Sequence, residues 1–158
     1  MSLMNVDVIN PFLSSLLNVL STMANISAKP GKPTLKGNAK ARGDITGIMG
    51  MSGNKMRGSI SITLSKKVAL KITANMLGEQ LTEITPDVLD LTGEITNMVT
   101  GGAKNLLGEK GYDFDMATPT VINGSNHEIH HKSNSKAIIV PFSSEAGEFF
   151  VEVCMEEI

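Results

Sequence analysis

The sequence predicts an α+β fold, a sandwich-like arrangement in which a mostly antiparallel sheet packs with two long helices. Three observations predict it. Two stretches, opening at Asn10-Pro11 and at Thr85-Pro86, carry apolar residues at helical period. A pair of alternating segments, Asp44–Met51 and Lys55–Leu64, flanks the turn Ser52-Gly53-Asn54. Further alternating segments follow the second helix, so strands and helices come in separate runs with hairpin connections.

Composition bounds the rest. The 158 residues are enough for one domain, read as residues 4–158, with Met1-Ser2-Leu3 expected to be an expression remnant. Hydrophobic residues make up 41% and charged residues 19%, a globular balance. The net charge of -2 argues against nucleic acid and against an anionic membrane surface as partners. No apolar run reaches the roughly 20 residues of a membrane span, and no signal-peptide pattern is present. A single cysteine, Cys154, cannot form an internal disulfide, which points to the reducing cytoplasm.

The first helix is expected over Asn10–Asn25. Asn10 caps it and Pro11 takes its first position. Phe12, Leu13, Leu16, Leu17, Leu20, Met23 and Ala24 form its apolar stripe, leaving Ser14, Ser15, Asn18 and Ser21 on the polar face. Ala28–Gly43, rich in Pro, Gly and Lys, reads as a loop or irregular edge strand; its Lys36, Lys40 and Arg42 read as a solvated surface. After the hairpin, Ser65 caps a shorter helix with Val68, Ala69, Ile72 and Met76 inward, and Gly78 ends it.

The second long helix is expected from Ile84 to Gly111, with Thr85 as N-cap and Ile84 and Leu89 as a hydrophobic staple. Its predicted apolar stripe is Val88, Leu91, Ile95, Met98, Val99 and Leu106. The opposite face gathers Asp90, Glu94 and Asn97, flanked by Gly93, Gly101 and Gly108. A mid-helix glycine costs about 1 kcal/mol against alanine. Glycines on an exposed face therefore suggest clearance for an approaching backbone. Beyond this helix, Met116–Ile122 is a strand bent at Pro119, Asn123–Ser135 a polar loop, and Lys136–Phe142 and Glu148–Met155 two strands joined around Glu145–Gly147.

Most candidate sites have plain explanations. His127, His130 and His131 do not match H-E-x-x-H and read as an exposed loop. Cys154, with no basic neighbour in sequence, reads as a buried inert thiol. Neither a Walker-type nor a dinucleotide-binding glycine motif occurs. The acid–amide pair Glu94 and Asn97 remains. Residues three apart on a helix share a face, with Cβ atoms about 5–6 Å apart. An Asn amide can hold a water by its oxygen and donate to a phosphoryl oxygen, with an acid nearby to pair with a cation. Those groups suit in-line phosphoryl hydrolysis, in which positioning and charge neutralisation do most of the work. The sequence shows no carboxylate arrangement that would obviously hold Mg²⁺, so metal and phosphoryl group would have to come from a partner.

The run Asp90-x-x-x-Glu94-x-x-Asn97, followed by Pro119, resembles the CheC/CheX/FliY class of chemotaxis phosphatases, and the CheX branch most closely. Asn10-Pro11-Phe12, the run Val19-Leu20-x-x-Met23 and the glycines Gly50, Gly53 and Gly58 of the hairpin extend the likeness over about Asn5–Met155. The resemblance implies a phosphatase for the phospho-aspartate of a CheY-like response regulator. The regulator would bring the Mg²⁺, and the chain would carry no cofactor of its own. Asn97 would orient the attacking water, Glu94 would pair with a basic residue of the regulator, and Asp90 would support docking. It also implies a homodimer joined through edge strands. CheC-like members carry the acid–amide pair on two helices; the first helix here offers Ser15 and Asn18 but no acid, so one active face per chain is expected. A non-catalytic regulator-binding or flagellar-switch-like adaptor is the rival expectation, and a metal-dependent hydrolase using the His loop a third.

Overall fold

The computed structural model describes residues 6–35, 42–129 and 137–157. In chain order these form α1 (Val6–Met23), β1 (Ala28–Pro30), β2 (Thr34–Leu35), β3 (Arg42–Gly53), β4 (Met56–Leu64), α2 (Lys66–Leu77), α3 (Pro86–Glu109), β5 (Phe114–Met116), β6 (Thr120–Glu128), β7 (Ile138–Ser144) and β8 (Gly147–Glu157). The strands make one antiparallel sheet in the order β1-β7-β8-β4-β3-β5, with β2 also on β7 and β6 also on β3. This is the predicted α+β arrangement, with two long helices and a shorter one.

The hairpin of β3 and β4 lies at the centre of the sheet. Its side chains alternate, so Ile45, Met49 and Met51 of β3 and Ile60, Ile62 and Leu64 of β4 point to the helices and are buried. Phe142 and Phe149 pair across β7 and β8 and stack with ring centroids 5.1 Å apart. Gly47 is the point where α3 lies on the sheet. A Cβ there would meet the Thr96 side chain and come within 3.3 Å of the Thr92 carbonyl.

The first helix starts earlier than the sequence suggests. Asn10-Pro11 is not its start; Pro11 lies inside α1. Val8 and Ile9 are buried and extend the apolar stripe upstream. Pro11 has no N–H for the Asp7 carbonyl four residues before it. The Lys110 Nζ at the end of α3 donates to that carbonyl at 3.2 Å. A bond lost inside α1 is thus replaced by one between the two long helices.

The buried face of α3 is also turned relative to the predicted stripe. Val88, Thr92, Ile95, Thr96, Val99, Thr100, Ala103 and Leu107 are buried, whereas Leu106 is exposed. Three threonines enter the core because each satisfies its hydroxyl locally. Thr92 donates to the Val88 carbonyl (2.8 Å), Thr96 to that of Thr92 (2.8 Å) and Thr100 to that of Thr96 (2.7 Å). Thr85 occupies the N-cap position without making a side-chain cap bond.

Ser15 is not on an open polar face. It is buried between the long helices, donates to the Val99 carbonyl at 2.7 Å and fills the space left by Gly102. The cap predictions for α2 agree with the structure. The Ser65 Oγ accepts from the Val68 N–H at 3.2 Å, and Gly78 closes the helix at φ 74°.

The segment from Asn123 to Glu128 belongs to β6 and is not a loop. Its Asn, Gly and Ser residues face solvent on an edge strand, so they carry no apolar alternation to read. The register slips between Gly43 and Ile45, and Asn126 takes φ 50° opposite this bulge. Asp44 ties the bulge together. Its carboxylate accepts the Lys66 N–H at 2.7 Å and the Asn126 N–H at 3.0 Å. Those two backbone bonds hold its pKa below the ordinary 3.8.

Candidate functional site

Asp90, Glu94 and Asn97 stand together on the outer face of α3, all exposed. Among the described residues none of the three side chains has a hydrogen bond or ion pair, whereas Asp7, Glu83, Glu128 and Glu156 are each paired with a Lys or Arg. At 1.5 Å per residue, Asp90 and Asn97 lie about 10 Å apart along the helix axis. Helix regularity and the Thr ladder on the buried side set the orientation of this face.

The second wall comes from the β5–β6 connection. After Met116 the chain leaves β3, and the Ala117 N–H bonds the Gly50 carbonyl at 2.9 Å. Pro119 then cannot donate to a ladder, and pairing resumes at Thr120. The residues between stand opposite α3. A groove of about 550 Å³ results, with Leu89, Asp90, Gly93, Glu94 and Asn97 on one side and residues 116–119 with Val121 on the other. The two distant parts of the sequence motif, the acid–amide pair and Pro119, line the same groove.

The glycines differ in what they do. Gly93 is buried, with Val121 Cγ2 3.4 Å and Pro119 Cγ 4.0 Å from where its Cβ would be. These are ordinary contact distances, so Gly93 lies on the groove beside β6 and not on a fully open surface, which is where it differs from the expectation. A Cβ at Gly101 or Gly108 meets nothing within 4 Å. Gly101 lies one turn beyond Asn97 on the same face.

The other candidates fall outside this groove. His127 is in β6, not in an exposed loop, and its ring is half-buried; Nε2 is 2.6 Å from the Thr46 hydroxyl and Nδ1 2.6 Å from the Gly124 carbonyl. His130 and His131 lie outside the described residues, as do Lys36 and Lys40. Among the described residues no three His, Cys, Asp or Glu side chains gather as they would around a metal ion. Cys154 is buried in β8. Among the described residues no helix is long and apolar enough to cross a membrane.

Sequence reasoning did not find the wall at Met116, Ala117, Thr118 and Val121. Only Pro119 was visible, and only through the motif. Groove walls built from two non-adjacent segments leave no periodic signal.

Known proteins share this fold. A family model described as chemotaxis phosphatase CheX matches residues 45–143. The CheY-P phosphatase CheX of Thermotoga maritima is 27% identical over 151 residues, covering 93% of this chain and 94% of that protein. The chemotaxis protein CheX of Vibrio vulnificus superposes with a TM-score of 0.92 at 53% identity, covering 95% of this chain and 99% of that one. A CheX–CheY–BeF3–Mg²⁺ complex from Borrelia burgdorferi gives a TM-score of 0.82 at 29% identity, covering 97% and 100%. With its matched residues spanning more than half the sequence, this chain belongs to the chemotaxis phosphatase CheX family.

Proposed function

We propose that this protein hydrolyses the aspartyl phosphate of a CheY-like response regulator, using Asn97 and Glu94 on the outer face of α3. The observation that carries the proposal is the exposed acid–amide pair, without partners among the described residues, beside the Pro119 groove in a chain of this family.

The division of work follows from side-chain chemistry. The Asn97 carboxamide oxygen accepts a hydrogen bond from a water, and its NH2 donates to a phosphoryl oxygen. The water is thereby held in line with the bond to be broken. Its oxygen bonds to phosphorus as the bond to the regulator's aspartate oxygen breaks, giving inorganic phosphate and a free carboxylate. Positioning of this kind accounts for much of the barrier reduction in phosphoryl transfer. Glu94 pairs with a basic residue of the regulator and fixes the approach. Asp90 and Gly101 extend the docking face on either side, and Gly93 lines the groove between Asp90 and Glu94.

The Mg²⁺ comes with the regulator, in keeping with the magnesium of the Borrelia CheX–CheY complex. The chain works as a homodimer through an edge strand, for which β6 is suited. It has nine residues, pairs only with β3 among the described strands, and exposes Ile122. The buried lone thiol of Cys154 fits a reducing compartment, the cytoplasm.

The test is decay of the phosphorylated regulator with wild type, Asn97→Ala and Glu94→Ala. Asn97→Ala lowers the turnover number by about 100-fold or more, because water orientation is lost. Glu94→Ala acts mainly through weaker docking. Equal rates for wild type and Asn97→Ala would show that the amide is not the catalytic group. If both match the regulator's own spontaneous decay, the chain is a regulator-binding adaptor and not the phosphatase.

A further inference from the structure

We propose that the groove seats a lysine or arginine side chain of the phosphorylated regulator, with its alkyl stem on the apolar wall and its cation at Asp90. Asp90 is then the residue that selects the partner. The inference rests on the reading of Asn97 and Glu94 given above and adds a second point of contact to it.

Four observations carry it. Asp90 and Glu94 are one turn apart on the same helix face, where like charges repel. Among the described residues neither is relieved by a cation, and no Lys or Arg lines the groove. The adjoining wall is apolar: Leu89, Met116 and Val121 are only partly buried and face the same space. A long basic side chain complements both features, since its methylenes cover apolar surface while its head reaches the carboxylate.

The geometry also separates this contact from the chemistry. Asp90 lies two helical turns from Asn97, about 10 Å along the axis. A cation at Asp90 is therefore too far away to neutralise the phosphoryl group at Asn97. It acts on association, where charge complementarity sets on-rate and partner choice. Glu94, between the two, serves the approach at the reacting end.

The experiment compares wild type, Asp90→Asn, Asp90→Lys and Asn97→Ala with a CheY-like response regulator from the same organism. Steady-state decay of the phosphorylated form gives kcat and KM. Titration of the form loaded with beryllofluoride and Mg²⁺ gives affinity. Asp90 is exposed and without a partner among the described residues, so the variants fold as wild type does. Asp90→Lys raises KM about 10-fold or more and leaves kcat within about 2-fold; Asp90→Asn does less, and affinity depends less on salt in both. A Lys→Glu or Arg→Glu change on the regulator restores affinity to Asp90→Lys and to no other variant.

Unchanged KM and affinity in Asp90→Lys would overturn the inference. So would a fall in kcat at unchanged KM, which would place Asp90 in the chemistry. If Asn97→Ala loses kcat while Asp90→Lys behaves as wild type, the groove contact alone fails. If Asn97→Ala keeps full kcat, the underlying reading of the site fails.

Discussion

The two sides of α3 use polar residues and glycines in opposite ways. On the sheet side, Thr92, Thr96 and Thr100 are buried, and each hydroxyl is bonded to a carbonyl four residues back. Gly102 has Ser15 against it, where a Cβ would not fit. On the outer side, Asp90, Glu94 and Asn97 have no partner among the described residues, and Gly101 and Gly108 face open space. Polar groups consumed by the fold identify packing. Polar groups left over, beside glycines that no packing requires, identify a surface kept for another molecule.

The same contrast separates two aspartates. Asp44 accepts two backbone N–H groups from different elements, whereas Asp90 accepts none among the described residues. Asp44 therefore belongs to stability, and Asp90 is left for the recognition role proposed above.

The largest effect is expected where helix meets sheet. Gly47→Ala puts a methyl group into the Thr96 side chain and against the Thr92 carbonyl. Relief requires α3 to move off β3, at a cost of about 1–3 kcal/mol. Thermal unfolding should show a drop of several degrees, roughly 2–4 °C for each kcal/mol in a chain of this size. A melting temperature equal to wild type would mean that α3 is not seated on β3 as described.

Next is Asp44→Ala, which removes the acceptor of the Lys66 N–H at the start of α2. A loss of about 1 kcal/mol near neutral pH is expected, the usual worth of a helix N-cap. The pH dependence has a definite sign. The folded pKa of Asp44 is depressed, so its contribution is fully present above the unfolded value near 3.8. It is lost as pH falls through the lower folded value. Denaturant titrations of wild type and Asp44→Ala should therefore differ at pH 7 and converge as the pH drops below 3.8. Asp90→Asn, measured alongside, should match wild type; a comparable loss would remove the distinction between the two aspartates.

The smallest change is the one that separates stability from function. Gly101→Ala adds a methyl group in open space and should stabilise α3 by up to about 1 kcal/mol. The same methyl group stands one turn from Asn97, on the docking face. The variant should melt higher and dephosphorylate the regulator more slowly through a raised KM. A gain in stability with unchanged KM would show that the partner does not approach at Gly101.

How much of this was legible in the sequence depended on where each signal came from. The hairpin, the Ser65 and Gly78 caps of α2 and the extent of α3 were legible because periodicity and cap chemistry are local. The exposed acid–amide face was legible for the same reason. The start of α1 was not, because Pro11 reads locally as a helix start, and the Lys110 bond to the carbonyl it leaves unpaired is distant in sequence. The threonine ladder of α3 was not legible, because threonine is a polar residue type and the carbonyls that satisfy it belong to the helix itself. Gly93 was placed on the open face because nothing near it in sequence shows Val121 arriving from β6. The β6 edge strand has no apolar alternation, and the groove wall exists only once that strand is in place.

In the function proposed above, Asn97 performs chemistry while the rest of the outer face performs docking. The most direct test is single-turnover decay of the phosphorylated regulator at saturating Asn97→Ala protein. Decay about 100-fold slower than with saturating wild type, despite full occupancy, is the predicted result. Decay as fast as with wild type would contradict the claim.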